Sequence, residues 1–274
     1  VAREQVPEKW ISEGTALTER VLPSRIQYEG RDIAVSVTPV GVDVGYIDER
    51  AQSPEVLAKS ADIRRELGDT KLVLSVGRTD YTKGGIEQLT SFERVLETHP
   101  ELRGKVRLMH VSVSANRGMA AYEEIQSEIE QIAGRINGRF GTLDWQPVTL
   151  ISRSIPFAQL VSYYQAADVA WITPLADGMN LVAKEFAASR IDGDGVLILS
   201  EFAGAAVELR GAVITNPFSN RSMDMAFLTA LEMPEMERRQ RMKGLRKAVR
   251  ETDVRGWTPG SLALTCPSDN SAVA

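Results

Sequence analysis

The sequence predicts an α/β fold, a Rossmann-like doubly wound parallel sheet. Two patterns carry the sheet prediction. Short apolar runs such as Leu72–Val76, continuous rather than alternating, suit strands buried on both faces. Segments of helical periodicity separate these runs, and strands alternating with helices of roughly 10–15 residues imply parallel pairing. A third observation locates function: every chemically suggestive motif follows a strand, where open α/β sheets bind their ligands.

Residues 1–34 are charged and irregular, with a short helix expected around Gly14 to Val21. They read as an extension or linker from a preceding domain. The chain opens on Val1 with no first Rossmann strand, so it is expected to begin inside a longer protein. Val35 to Val40 predicts a strand entering a turn at Pro39 and Gly41, and 54–67 a helix with Val56, Leu57 and Ile63 on its apolar side. Lys71–Val76 is the next strand. Ile86, Leu89, Phe92 and Leu96 then recur at helical spacing, with Pro100 just beyond. Val106–Val113 is a strand, and Ile125, Ile129, Ile132 and Ile136 form the stripe of a helix that Gly138 and Gly141 help to end. Pro147–Ile151 predicts a strand and Phe157–Ala167 a helix. Strands follow at Val169–Thr173, Val196–Ser200 and Val213–Thr215, interleaved with helices near 180–189, 203–208 and 221–231 and a polar helix at 234–251. Residues 35–257 thus form one domain, and 258–274 a loose tail of small residues.

Composition narrows the function. Hydrophobic residues at 43% and charged ones at 25% suit a globular chain able to bury a core. A net charge of −5 supplies no basic excess to neutralise nucleic-acid phosphates. The single cysteine, Cys266, excludes an intramolecular disulfide and fits a reducing compartment. No apolar run approaches the roughly 20 residues of a membrane span. A cytoplasmic protein with no membrane and no nucleic-acid partner is expected.

The segment 171–185 is the richest in chemistry. A buried strand leads through a turn with Pro174 and Gly178 into a helix beginning near Asn180. The free N–H groups and dipole of a helix N-terminus favour anions. Asp177 sits in the turn and Glu185 one and a half turns into the helix. Carboxylates do not ligate phosphate but accept hydrogen bonds from hydroxyls, as on a sugar or ribose. A phosphate cradle bracketed by hydroxyl acceptors suggests a nucleotide-sugar site. Equally, Asp177 reads as a turn or N-cap residue and Glu185 as a surface carboxylate paired with a Lys or Arg.

Arg78 and Lys83 stand five residues apart in a Gly-containing loop after the Leu72–Val76 strand. They read as a clamp on a diphosphate, or as solvated loop cations with Arg78 paired to Asp80. Arg117, at another strand end, reads as an anchor for an anionic acceptor or as a surface cation near Glu123 and Glu124. Small residues at 203–206 permit close backbone approach, to a ligand or, more simply, to the neighbouring chain. His99 and His110 have no partner at metal-ligand spacing, and no HExxH, P-loop, Gly-x-Gly-x-x-Gly or Gly-x-Ser-x-Gly motif occurs. No metal or other cofactor is expected.

Four motifs resemble the trehalose-6-phosphate synthase type of retaining glycosyltransferase across roughly residues 35–257. They are Gly-Arg-Thr-Asp-Tyr-Thr-Lys-Gly at 77–84, Gly-Arg-Ile-Asn-Gly-Arg-Phe at 134–140, Thr-Pro-Leu-Ala-Asp-Gly-Met-Asn-Leu-Val-Ala-Lys-Glu at 173–185 and Leu-Ser-Glu-Phe-Ala-Gly-Ala at 199–205. The resemblance implies a two-domain GT-B architecture of which this chain is the donor-binding half, the acceptor domain lying elsewhere. It implies that Arg78 and Lys83 hold the donor diphosphate and that Asp177 accepts from glucose hydroxyls. It places the backbone of Gly178, Met179, Asn180, Leu181 and Val182 around the distal phosphate and sugar, Glu185 at the ribose, Ile155 beside the base and Arg117 at the acceptor phosphate.

The Gly-Arg-Thr-Asp-Tyr-Thr-Lys-Gly variant, Asp168-Val-Ala-Trp-Ile-Thr173 and the polar segment 1–34 look closer to the glucosylglycerol-phosphate synthase branch. That branch implies transfer of glucose from ADP-glucose to glycerol 3-phosphate, with trehalose-phosphate synthesis using glucose 6-phosphate as acceptor as the alternative; the donor base, ADP-glucose or UDP-glucose, is left open. A homo-oligomer is left open, as is a fragment that binds nucleotide but is inactive alone. Retention without a carboxylate nucleophile would rest on Arg78, Lys83 and the helix N-terminus near Asn180 stabilising charge on the leaving diphosphate.

Overall fold

The computed structural model describes residues 25–34, 39–113 and 120–256. Contacts divide the chain into two units, Val1–Thr38 and Pro39–Ala274. The helix expected at 14–21, most of the strand expected at 35–40, Arg117 and the tail at 258–274 lie outside the described residues. Pro39 and Val40 themselves carry no strand pairing.

In the first unit the described residues form an antiparallel hairpin, β1 (Arg25–Tyr28) and β2 (Arg31–Ala34). This corrects the irregular reading of 1–34. Glu29 and Gly30 both have positive φ, 47° and 75°, the backbone signs of a two-residue turn whose twist matches that of the strands it joins. Glu is a poor advertisement for such a turn, and the charged residues around Ile26, Tyr28 and Ile33 hide the alternation.

The second unit runs α1 (Val44–Ala51), α2 (Pro54–Leu67), β3 (Lys71–Arg78), α3 (Gly85–Thr98), β4 (Val106–Val113), α4 (Ala120–Phe140), β5 (Val148–Ile151), α5 (Phe157–Ala166), β6 (Val169–Ile172), α6 (Leu181–Ser189), β7 (Val196–Ser200), β8 (Val213–Thr215), α7 (Asn220–Glu232) and α8 (Glu235–Glu251). Side chains settle where several helices start. Asp43 accepts from the Tyr46 N–H at 2.9 Å, and Ser53 caps α2 with Pro54 at its first position. Helix α1 was missing from the sequence reading, its apolar Val44, Ile47 and Ala51 being set among charged residues. The helix expected at 203–208 is a 3-10 turn, Gly204–Val207. Its backbone is drawn toward the neighbouring loop and does not build a longer helix.

All six strands of the second unit are parallel, in the order β5-β4-β3-β6-β7-β8. The pleat sends alternate side chains to two cores. Leu72, Leu74, Ala170, Ile172, Leu197 and Leu199 meet α1, α2, α5, α6 and α8 on one face. Val73, Val169, Trp171, Val196 and Ile198 meet α3, α4 and α7 on the other, where Trp171 lies 4.7 Å from the Phe227 ring. The chain builds outward from β3 through β4 to β5, then returns to place β6 on the opposite side of β3. Between β3 and β6 the winding direction reverses, and the loops leaving their carboxyl ends diverge to open a crevice. Among the described residues no helix is long and apolar enough to cross a membrane.

Candidate functional site

The crevice at the β3/β6 switch point is lined by Gly77, Arg78, Lys83, Thr173, Pro174 and Asn180, among others. Two predicted motifs form its walls, the loop after β3 and the loop after β6. Their junction depends on Gly84, which has φ +70° and whose added Cβ would stand 2.2 Å from the Thr173 carbonyl oxygen. The Leu175 N–H donates to the Thr82 carbonyl at 2.7 Å across the same junction. Behind it, buried Gln88 on α3 accepts from the Ser75 hydroxyl at 2.6 Å. Its amide donates to the Trp171 carbonyl at 2.8 Å and the Thr173 hydroxyl at 2.9 Å. One side chain thus ties both central strands to the helix between them.

Lys83 Nζ donates to Asp177 Oδ2 at 2.8 Å, joining the two motifs in one ion pair. Asp177 also accepts from the Met179 N–H through Oδ1 and from the Asn180 amide through Oδ2. Burial alone would raise its pKa. The hydrogen bonds from Lys83 and Met179, the Lys83 charge and the Asn180 amide outweigh that and hold the carboxyl below its ordinary value. The turn role weighed for Asp177 is present in the geometry, and its carboxylate is also paired across to Lys83, a residue that lines the crevice. Arg78 stands apart: its side chain is 63% exposed and only 3.9 Å from Asp80 Oδ2, the pairing offered by the plainer reading. Asp80 itself is engaged by the Thr82 N–H and hydroxyl.

Asn180 caps α6 from a left-handed conformation, φ +77°, its Oδ1 accepting from the Ala183 N–H at 3.0 Å. That cap turns the chain into α6 with Asn180 itself lining the crevice. Gly204 fixes the outer side. Its N–H donates to the Asp177 carbonyl at 2.9 Å, and an added Cβ would lie 2.1 Å from the Gly178 carbonyl oxygen. The small residues at 203–206 therefore serve close chain packing, the simpler of the two readings.

Glu185, on the first turns of α6, is half-buried and forms no ion pair among the described residues, unlike the surface pairing considered for it. Its Oε2 accepts from the Tyr164 hydroxyl at 3.0 Å. Burial raises its pKa, and the Tyr164 hydrogen bond draws it partly back. Ile155 is partly buried against the core at the β5–α5 connection. Gln88, Gly84 and Tyr164 were absent from the sequence-derived site. Tyr164 carried a usable signal, since Val161 and Ala167, three residues to either side, are core residues; Gln88 shares its face with only one, Phe92.

A family model described as glycosyltransferase family 20 matches residues 11–263. The chain belongs to glycosyltransferase family 20. Within the family it is 44% identical to a glucosylglycerol-phosphate synthase of Picosynechococcus sp., over 85% of this chain and 46% of that protein. Its fold matches GT-B trehalose-phosphate synthase structures. One, from Burkholderia xenovorans in complex with glucose-6-phosphate, superposes with TM-score 0.82 at 38% identity, over 87% of this chain and 53% of that one. Another, the E. coli trehalose-6-phosphate structure bound with UDP-2-fluoro glucose, gives TM-score 0.82 at 34% identity, over 86% and 52%. The chain spans about half the length of the family 20 relatives it matches.

Proposed function

We propose that this chain is the donor-binding half of a retaining glucosyltransferase that moves glucose from ADP-glucose to glycerol 3-phosphate, with the acceptor half on a further domain. The observation that carries the reading is the convergence of the Arg78–Lys83 loop and the Asp177–Glu185 segment at one crevice, joined by the Lys83–Asp177 pair. A diphosphate entering there would compete with Asp177 for the Lys83 ammonium and recruit exposed Arg78. The backbone of Gly178 to Val182 and the α6 N-terminus would cradle the distal phosphate. Released from Lys83, Asp177 would accept from glucose hydroxyls. Glu185 would accept from the ribose, Ile155 would border the base, and Arg117 would meet the acceptor phosphate.

In this scheme Arg78 and Lys83 stabilise charge as it grows on the leaving diphosphate. A single preorganised donor of this kind is worth about 3–4 kcal/mol of barrier. The acceptor hydroxyl attacks from the face the diphosphate leaves, passing its proton to the departing phosphate. The 43–44% identity to glucosylglycerol-phosphate synthases supports the acceptor named. Trehalose-phosphate synthesis is the second reading, supported by a bifunctional trehalose-6-phosphate synthase/phosphatase of Thermoproteus tenax that is 43% identical.

A product assay on the full-length natural polypeptide separates the two. ADP-glucose and UDP-glucose are each offered with glycerol 3-phosphate and with glucose 6-phosphate. The proposal expects glucosylglycerol phosphate from ADP-glucose. Trehalose phosphate as the sole product would replace it with the second reading, and no transfer to either acceptor would contradict both.

A further inference from the structure

The environment of Glu185 is unusual for a half-buried carboxylate. Among the described residues no Lys or Arg neutralises it, and its one side-chain partner is a neutral hydroxyl, that of Tyr164. Oε1 has no protein partner there and keeps contact with solvent. Desolvating a carboxylate without a counter-charge is costly, so the arrangement holds open an acceptor that a purely structural carboxylate would fill. Tyr164 is fully buried on α5. Its ring stands edge-to-face against Phe186, centroids 6.2 Å apart at 73°, and its backbone carbonyl accepts from Arg190, which also binds the Ala167 carbonyl. The hydroxyl has little freedom. Burial, and then the Glu185 charge, push the Tyr164 pKa well above the ordinary value, so it remains a donor at any working pH.

We infer that Tyr164 is a positioning residue: by donating to Oε2 it fixes the plane of the Glu185 carboxylate and presents Oε1 to the vicinal hydroxyls of a ribonucleoside diphosphate. This rests on the reading of Glu185 as the ribose acceptor. The consequence is selectivity. Tyr164 touches no ligand atom, yet it sets how strongly the site prefers ribose over a sugar lacking those hydroxyls.

Calorimetric titration of the chain with ADP and with 2′,3′-dideoxy-ADP tests this, with the UDP pair run in parallel. The wild type, Tyr164→Phe and Glu185→Gln are compared, and folding is checked by melting curves. Charge-assisted hydrogen bonds to the ribose should give the wild type a preference for the ribonucleotide of about tenfold or more. Glu185→Gln should lose most of that ratio. Tyr164→Phe should lower it at least about threefold while leaving dideoxynucleotide affinity unchanged, which a general packing defect would not do. If Glu185→Gln loses the preference and Tyr164→Phe keeps it, Tyr164 is a packing residue and the inference fails. If Glu185→Gln also keeps the preference, or the wild type has none, the ribose reading itself fails and takes the inference with it.

Discussion

His110 shows how a single residue can escape sequence reasoning and still shape the site. It alternates within β4 without a partner at ligand spacing, so the pattern excluded metal chemistry and said nothing further. In the fold its buried ring is among the residues lining the crevice, its Nδ1 has no hydrogen-bond partner among the described residues, and an added Cβ on Gly85 would lie 3.2 Å from Nε2. Burial lowers its pKa to about 4. Between the unfolded value near 6.5 and about 4 the unfolded chain binds the extra proton, so this contribution is full above pH 6.5 and is lost as pH falls through that window. The loss should reach roughly 3 kcal/mol. Denaturant unfolding of wild type and His110→Gln at several pH values checks this: the wild type should lose ground relative to the variant from pH 6.5 to 4, whereas parallel profiles would refute it. Asp177 and Lys83 each stand out in the sequence, but their 2.8 Å pairing does not. The pairing joins residues 94 positions apart, beyond the reach of any local pattern.

Among the elements, continuous apolar runs made the central strands β3, β6 and β7 readable, because a strand covered on both faces has no polar alternation to confuse it. Elements that failed were those fixed by geometry rather than composition: the β1–β2 hairpin, the short α1 and the 3-10 turn at Gly204–Val207. The crevice depends on two glycines whose importance lies in what they approach. Gly84→Ala places a Cβ 2.2 Å from the Thr173 carbonyl and forces a left-handed conformation on alanine; Gly204→Ala meets the Gly178 carbonyl at 2.1 Å with no such backbone demand. Left-handed strain alone costs about 1–2 kcal/mol, and neither backbone contact can yield without moving a crevice wall. Both variants should unfold at lower denaturant and bind ADP at least about tenfold more weakly. Gly134→Ala, which meets nothing within 4 Å, is the control that should change neither. Unaltered ADP affinity in Gly84→Ala and Gly204→Ala would remove these junctions from the account.

At the level of the whole molecule, strand order decides where chemistry can happen. The order β5-β4-β3-β6-β7-β8 places its reversal between β3 and β6, and the two motifs that sequence reasoning singled out flank that reversal. Alternation of elements predicted a parallel sheet but not which strands are neighbours, so the meeting of residues 78–83 with 177–185 waited for the fold. The chain covers about half the length of the relatives it matches. A crystal structure of the chain soaked with ADP tests the central claim most directly. The account predicts the diphosphate between Arg78, Lys83 and the α6 N-terminus, with the ribose hydroxyls on Glu185. ADP bound elsewhere, or in that crevice with its ribose turned away from Glu185, would contradict it.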